Sequence, residues 1–212
     1  MKIAVTGEEK RITELRKGIN TSHQVEVFYE GGWNEKINKN FDLAIDLNAD
    51  DRNSIHPNFF LLAPFTLLCA VKKTVQEMKG ANKQSIVAGI NSLPFFLSRD
   101  LKEISFSEEN PGWINVFKAL EWKTLHVKDI AGMVSPRILF MIINEACFEF
   151  EEQTASRDDI DAGMKLGTAY PFGPFQFAEL IGWKNIFETL IKIAESNGGS
   201  RYQISPLMKT FF

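Results

Sequence analysis

Apolar positions along the chain follow two different periods, one in each half. Lys2–Thr6 (KIAVT) is a short apolar run and predicts a buried strand. Gly7 follows, and Ile12, Leu15 and Ile19 then recur at helical spacing. Residues 25–29 predict a second strand, Gly31-Gly32-Trp33 a turn, and residues 41–47 (FDLAIDL) a third strand. Residues 58–71 are a long apolar run interrupted by Pro64, which predicts a buried strand followed by a helix start that continues at 75–78. Residues 86–90 and 123–129 predict further strands, the latter leading into a helical half. There the period becomes 3.6. Residues 138–150 (ILFMIINEACFEF) are apolar nearly all round, as in a helix buried on several sides. Residues 184–196 carry Ile186, Phe187, Leu190, Ile191 and Ala194 on one face, and Asn197-Gly198-Gly199 ends that helix.

Between these two helices the punctuation is dense. Ser156 is placed to cap a helix, with Asp159 three residues on at capping-box spacing. Gly167 is the expected stop. Tyr170-Pro171-Phe172-Gly173-Pro174 forces a rigid turn, Pro174 opens the next helix and Gly182 closes it. Two short helices joined by a Pro/Gly knuckle are a packing device, and the stretch holds no nucleophile, base or metal site.

Composition narrows the class. The 212 residues suffice for one large domain or two small ones, and a 44% hydrophobic content with 18 Phe predicts a well-filled core. A net charge of -3 gives no reason to expect nucleic acid or an acidic membrane as partner. No apolar run approaches ~18 residues, so no membrane span is expected. The opening MKIAVTGEEK lacks a signal-peptide core and reads as a strand. Cys69 and Cys147 both sit in apolar surroundings, as buried thiols of a reducing, cytoplasmic compartment would.

The strand–helix–strand order of the first thirty residues is how a dinucleotide-binding fold begins. Its fingerprint, G-x-G-x-x-G, needs three glycines, for the tight turn, for approach of backbone to pyrophosphate and for helix-on-strand packing. The three positions here hold Gly7, Glu9 and Ile12. Glu8 and Glu9 stabilise the bare helix end and repel the phosphate that a helix N-terminus otherwise attracts. Glu30, after the second strand, stands where an acidic residue would hold a ribose, and equally reads as a solvated turn residue.

Residues 156–182 (SRDDIDAGMKLGTAYPFGPFQFAELIG) closely resemble the start of the helical C-terminal domain of 3-hydroxyacyl-CoA dehydrogenases, including the bacterial 3-hydroxybutyryl-CoA type. Residues 201–207 resemble that family's closing RYxPxPLL. Residues 128–137 resemble KDxPGFxxNR, with Asp129, Gly132 and Arg137 matching. The resemblance is strong over 125–212 and holds in outline over 1–125. It implies an α/β plus all-α fold. A shortened Rossmann-like parallel sheet occupies 1–127, and a helical dimerisation domain of the 6-phosphogluconate dehydrogenase C-terminal type occupies 128–212. It also implies NAD, acyl-CoA and a homodimer through the helical domain.

The same resemblance locates the chemistry. The family carries GxHFFNPVPxxxLxE, whose histidine takes the substrate proton and whose glutamate orients the imidazole. Here residues 89–104 read GINSLPFFLSRDLKEI, so Asn91 holds the histidine position and Glu103 the glutamate position. An asparagine amide cannot accept a proton near neutral pH. The family's active-site asparagine aligns with Pro136, and its substrate-binding serine has no counterpart, Thr66 being the nearest hydroxyl. Ser135 as N-cap and Pro136 at the first helical position make a good helix start instead. Only ten residues, 31–40, separate Glu30 from the third strand, where the family has a helix and a helical hairpin that helps to hold CoA.

The expectation is a divergent family member without NAD-dependent chemistry and without cofactor, dimeric and able to take an acyl-CoA-like ligand. The rival is an active NAD-dependent 3-hydroxyacyl-CoA dehydrogenase of fatty acid metabolism. In it Glu103 or His126 serves as base, Thr66 and Asn91 contact substrate, and Gly7 marks the cofactor loop. A third reading is a structural partner subunit. The space above Gly7 discriminates between the first two: open in the rival, filled by Glu8 or Glu9 in the favoured reading.

Overall fold

A computed structural model describes residues 1–29, 41–197 and 201–212. Glu30, the turn at 31–33 and the glycines at 198–199 lie outside the described residues. The chain divides into two units, Met1–Met133 and Val134–Phe212. The division falls six residues beyond the expected 127/128, because residues 129–132 are tied to the first unit. Asp129 accepts from the backbone N–H groups of Val75 and Gln76, and Gly132 N–H donates to the Val71 carbonyl.

The first unit is a seven-stranded sheet, β1 (Lys2–Thr6), β2 (Gln24–Phe28), β3 (Leu43–Asp46), β4 (Phe65–Cys69), β5 (Ile86–Ile90), β6 (Leu101–Phe106) and β7 (Lys123–Val127), in the order β2-β1-β3-β4-β5-β6-β7. Strands β1 to β5 are parallel, β6 runs antiparallel to β5, and β7 is parallel to β6. Strands in the middle of a parallel sheet are covered on both faces, which is why β1, β3 and β4 are almost uninterrupted apolar runs. Helices α1 (Glu9–Lys17) and α3 (Gly112–Ala119) cover one face, where Ile12, Leu15, Trp113 and Phe117 pack on Ile3, Ile45, Leu67 and Ile104. Burying each such side chain stabilises by about 1.5–3 kcal/mol. Helix α2 (Val75–Lys79) reaches the other face over Gly89, where an added Cβ would lie 2.7 Å from Val75 Cγ2.

One expectation is corrected here, and two elements are added. The run at 58–71 is not a strand followed by a helix. Pro57–Leu61 is a short 3₁₀ helix and the strand is β4, after Pro64. The Pro64 carbonyl receives the Ile86 N–H, so the proline opens the strand, and the helix waits for the Thr74/Glu77 capping box. Strand β6 and helix α3 have no counterpart in the sequence reading. Lys102 and Glu103 are both buried in β6 and mask its pattern.

The second unit holds α4 (Ser135–Glu151), α5 (Arg157–Thr168), α6 (Pro174–Ile181) and α7 (Trp183–Ser196). Two boundaries differ from expectation. Val134, not Ser135, is the N-cap of α4, so Ser135 and Pro136 are its first two residues. Gly167 lies inside α5, which ends at Ala169 in the left-handed region, the last turn being held by Thr168 Oγ1 donating to the Met164 carbonyl at 2.6 Å. The Ser156 cap forms as expected. Asp161 reaches out of α5 and accepts from Phe175 N–H (2.8 Å) and Gln176 N–H (3.2 Å), so a residue of the quoted motif caps the next helix. Asn144, buried on α4, holds the closing stretch through Gln203 O and Ser205 N–H at 2.9 Å each. Among the described residues no helix is long and apolar enough to cross a membrane.

Candidate functional site

In the order β2-β1-β3 the connections leave β1 in opposite directions, which makes the carboxyl ends of β1 and β3 the topological switch point where open α/β sheets bind ligands. Gly7 stands there, with φ +151. The space above it is filled, but not by Glu8 or Glu9. A Cβ on Gly7 would lie 2.8 Å from Leu47 Cβ and 2.9 Å from Asn48 Oδ1. Asn48 Oδ1 accepts the Glu8 backbone N–H at 2.8 Å, the donor at the entrance to α1, while the Glu8 side chain stays largely in solvent.

Asn48 is fixed by its neighbours. Its N–H donates to Asp46 Oδ1 (3.0 Å) and its Nδ2 to Asp51 Oδ2 (2.9 Å). Asp51 in turn binds the Lys72 ammonium and lies 3.2 Å from Arg11 Nη2. The Arg11 side chain is 1% exposed, and its Nη1 donates to the Leu47 carbonyl, which also takes the Ser92 hydroxyl at 2.9 Å. Asp50 accepts from Val71 N–H and Lys72 N–H, both at 2.9 Å. The ends of β1, β3, β4 and β5 are thus bound together by the turn Ala49–Asp51 and its counter-ions.

The electrostatics follow from this burial. Burial works against the Arg11 charge, but surrounding groups, Asp51 and Asp50 among them, raise its pKa above the ordinary value. Burial pushes Asp50 up, and the adjacent Asp51 adds to it. Asp46 is also raised by burial, against the pull of Arg52. Burial acts upward on Asp51 as well, yet Lys72 and Arg11 outweigh it and hold that carboxyl below its usual range. Burial pushes the Cys69 thiol up, with Asp50 adding to it, so this sulfur is no nucleophile.

The structure brings Asn91 and Glu103 together. In the antiparallel register of β5 and β6, Asn91 N–H donates to the Glu103 carbonyl at 3.3 Å, and both residues are buried. His126 pairs with Ile104 and Leu125 with Glu103, so strand alternation puts His126 and Glu103 on opposite faces. The two cannot form a dyad, and the exposed His126 ring lies edge-on to Phe106. Thr66 is not beside them. It lies near the start of β4, fully buried, its hydroxyl 2.6 Å from Ser85 Oγ. Pro136 is in the second unit, buried in the first turn of α4.

Residues 132–212 match the model of the 3-hydroxyacyl-CoA dehydrogenase C-terminal domain. The helical unit belongs to the 3-hydroxyacyl-CoA dehydrogenase C-terminal domain family. Among similar proteins of this family, a probable 3-hydroxybutyryl-CoA dehydrogenase of Bacillus subtilis is 29% identical over 150 residues, covering 70% of this chain and 50% of that protein. The 3-hydroxyadipyl-CoA dehydrogenase of Escherichia coli is 36% identical over 85 residues, 40% of this chain and 18% of that protein. The matched stretches therefore span half or less of these relatives. The crystal structure of the (S)-3-hydroxybutyryl-CoA dehydrogenase of Ralstonia eutropha superposes with TM-score 0.71 at 16% identity, covering 99% of this chain and 92% of that one, which establishes a shared fold.

The family is NAD-dependent, and the described residues around Gly7 do not fit a dinucleotide pyrophosphate. Leu47 and Asn48 close against Gly7 on the side where a Cβ would stand, and the first helix-entry N–H is already satisfied by Asn48. Carboxylates of Asp46, Asp50 and Asp51 surround the strand ends. Asn48, Arg11 and Asp51 escaped the sequence reading. The one available signal was the polar run NADD directly after an apolar strand, which reads as an ordinary turn.

Proposed function

We propose that this 3-hydroxyacyl-CoA dehydrogenase-family protein has given up nicotinamide-dependent oxidoreduction and acts as a homodimeric module that takes an acyl-CoA-like ligand. The observation that carries this reading is Asn48, whose Oδ1 already takes the Glu8 N–H at the entrance to α1, a donor that a dinucleotide phosphate would use. Asn91 in the place of a general base supports it, since no proton can be taken there from a substrate hydroxyl. The acyl-CoA ligand class rests on the names of the relatives.

Dimerisation draws support from the second unit. Helix α5 fully buries only Asp161, while Leu166 is 88% exposed and Ile138 on α4 57% exposed. A twelve-residue helix is marginal on its own in water, so a partner surface over α5 would supply what its own unit does not.

The deciding measurement is a titration of the purified protein with NADH, reading energy transfer from tryptophan to the nicotinamide, alongside a screen of 3-hydroxyacyl-CoA oxidation. No saturable transfer up to about 1 mM is expected. NAD-dependent oxidation of any 3-hydroxyacyl-CoA, lost on Glu103→Gln, would overturn the proposal in favour of a rewired dehydrogenase.

A further inference from the structure

We draw no further inference here: the strongest candidate, the exposed face of α5 around Leu166 in the helical unit, with the apolar groove lined by Leu139, Met164 and Phe172, belongs to the dimer surface already proposed, and nothing in the structure shows any other cover for it.

Discussion

At the scale of single residues, the switch point is governed by Asp50 and Asp51, adjacent carboxylates with opposite behaviour. Asp51 is held below its usual range by Lys72 and Arg11, so its contribution to stability is complete above its unfolded value and is lost as pH falls through the folded one. Asp50 is raised by burial and by Asp51, and the folded state therefore binds its proton more tightly than the unfolded chain does. Its contribution improves as pH falls from neutral through the raised folded value, and levels off below the ordinary carboxylate value of about 3.9. Asp50→Asn keeps an oxygen for the Val71 and Lys72 N–H groups and cannot titrate. Urea melts at several pH values should show this variant gaining on wild type as pH rises from about 4 to about 7. A difference that is flat with pH, or of opposite slope, would refute the assignment. None of this could be read from the run NADD. Whether a turn aspartate faces water or a buried arginine depends on where a helix forty residues earlier delivers Arg11, and no local pattern encodes that crossing.

At the scale of elements, the α5–α6 knuckle shows how spacing can be legible while its purpose is not. The Ser156 cap, the Pro174 helix start and the Gly182 stop follow from local chemistry and stand in the structure as read. The two glycines exchange roles. Gly167 is helical with open space around it, whereas a Cβ on Gly173 would lie 2.3 Å from Asp161 Cβ, Cγ and Oδ1. Gly173→Ala would drive Asp161 off the Phe175 and Gln176 N–H groups and should lose about 2–4 kcal/mol in a urea melt, as overpacking together with a lost cap. Gly167→Ala should instead gain up to about 1 kcal/mol from helix propensity. If the two variants melt alike, Asp161 does not need the gap at Gly173. The misplaced strand at 58–71 has a related origin. A continuous apolar run fits a buried strand and a buried helix equally, and the deciding fact, that Pro64 opens β4, lies in a pairing with β5.

At the scale of the whole molecule, the division into an α/β unit and a helical unit was legible, because hydrophobic period changes between the halves and ordered motifs mark the second. Strand β6 and the filling of the switch point were not, since each depends on charged residues being buried by distant parts of the chain; helix α3, with Trp113, Val116 and Phe117 inside, is too short to stand out by period. The proposed dimer would make stability a matter of concentration through the exposed apolar residues Ile138 and Leu166. If a second copy covers them, the melting temperature should rise between about 1 and 100 μM protein, with sedimentation shifting from monomer to dimer over the same range. A monomer at every concentration, with a constant melting temperature, would leave dimerisation without support. The filled crevice has a further consequence for how such a protein lives with its surroundings. A site completed by a bound nucleotide gains stability as RT ln(1 + [L]/Kd), so its fold tracks the supply of that nucleotide. Here the groups that knit the ends of β1, β3, β4 and β5 are covalent parts of the chain, and Asn48, Asp51 and Arg11 are present at every nucleotide level. If no nucleotide binds there, as proposed, the folding of the first unit is insulated from swings in the cell's redox cofactors.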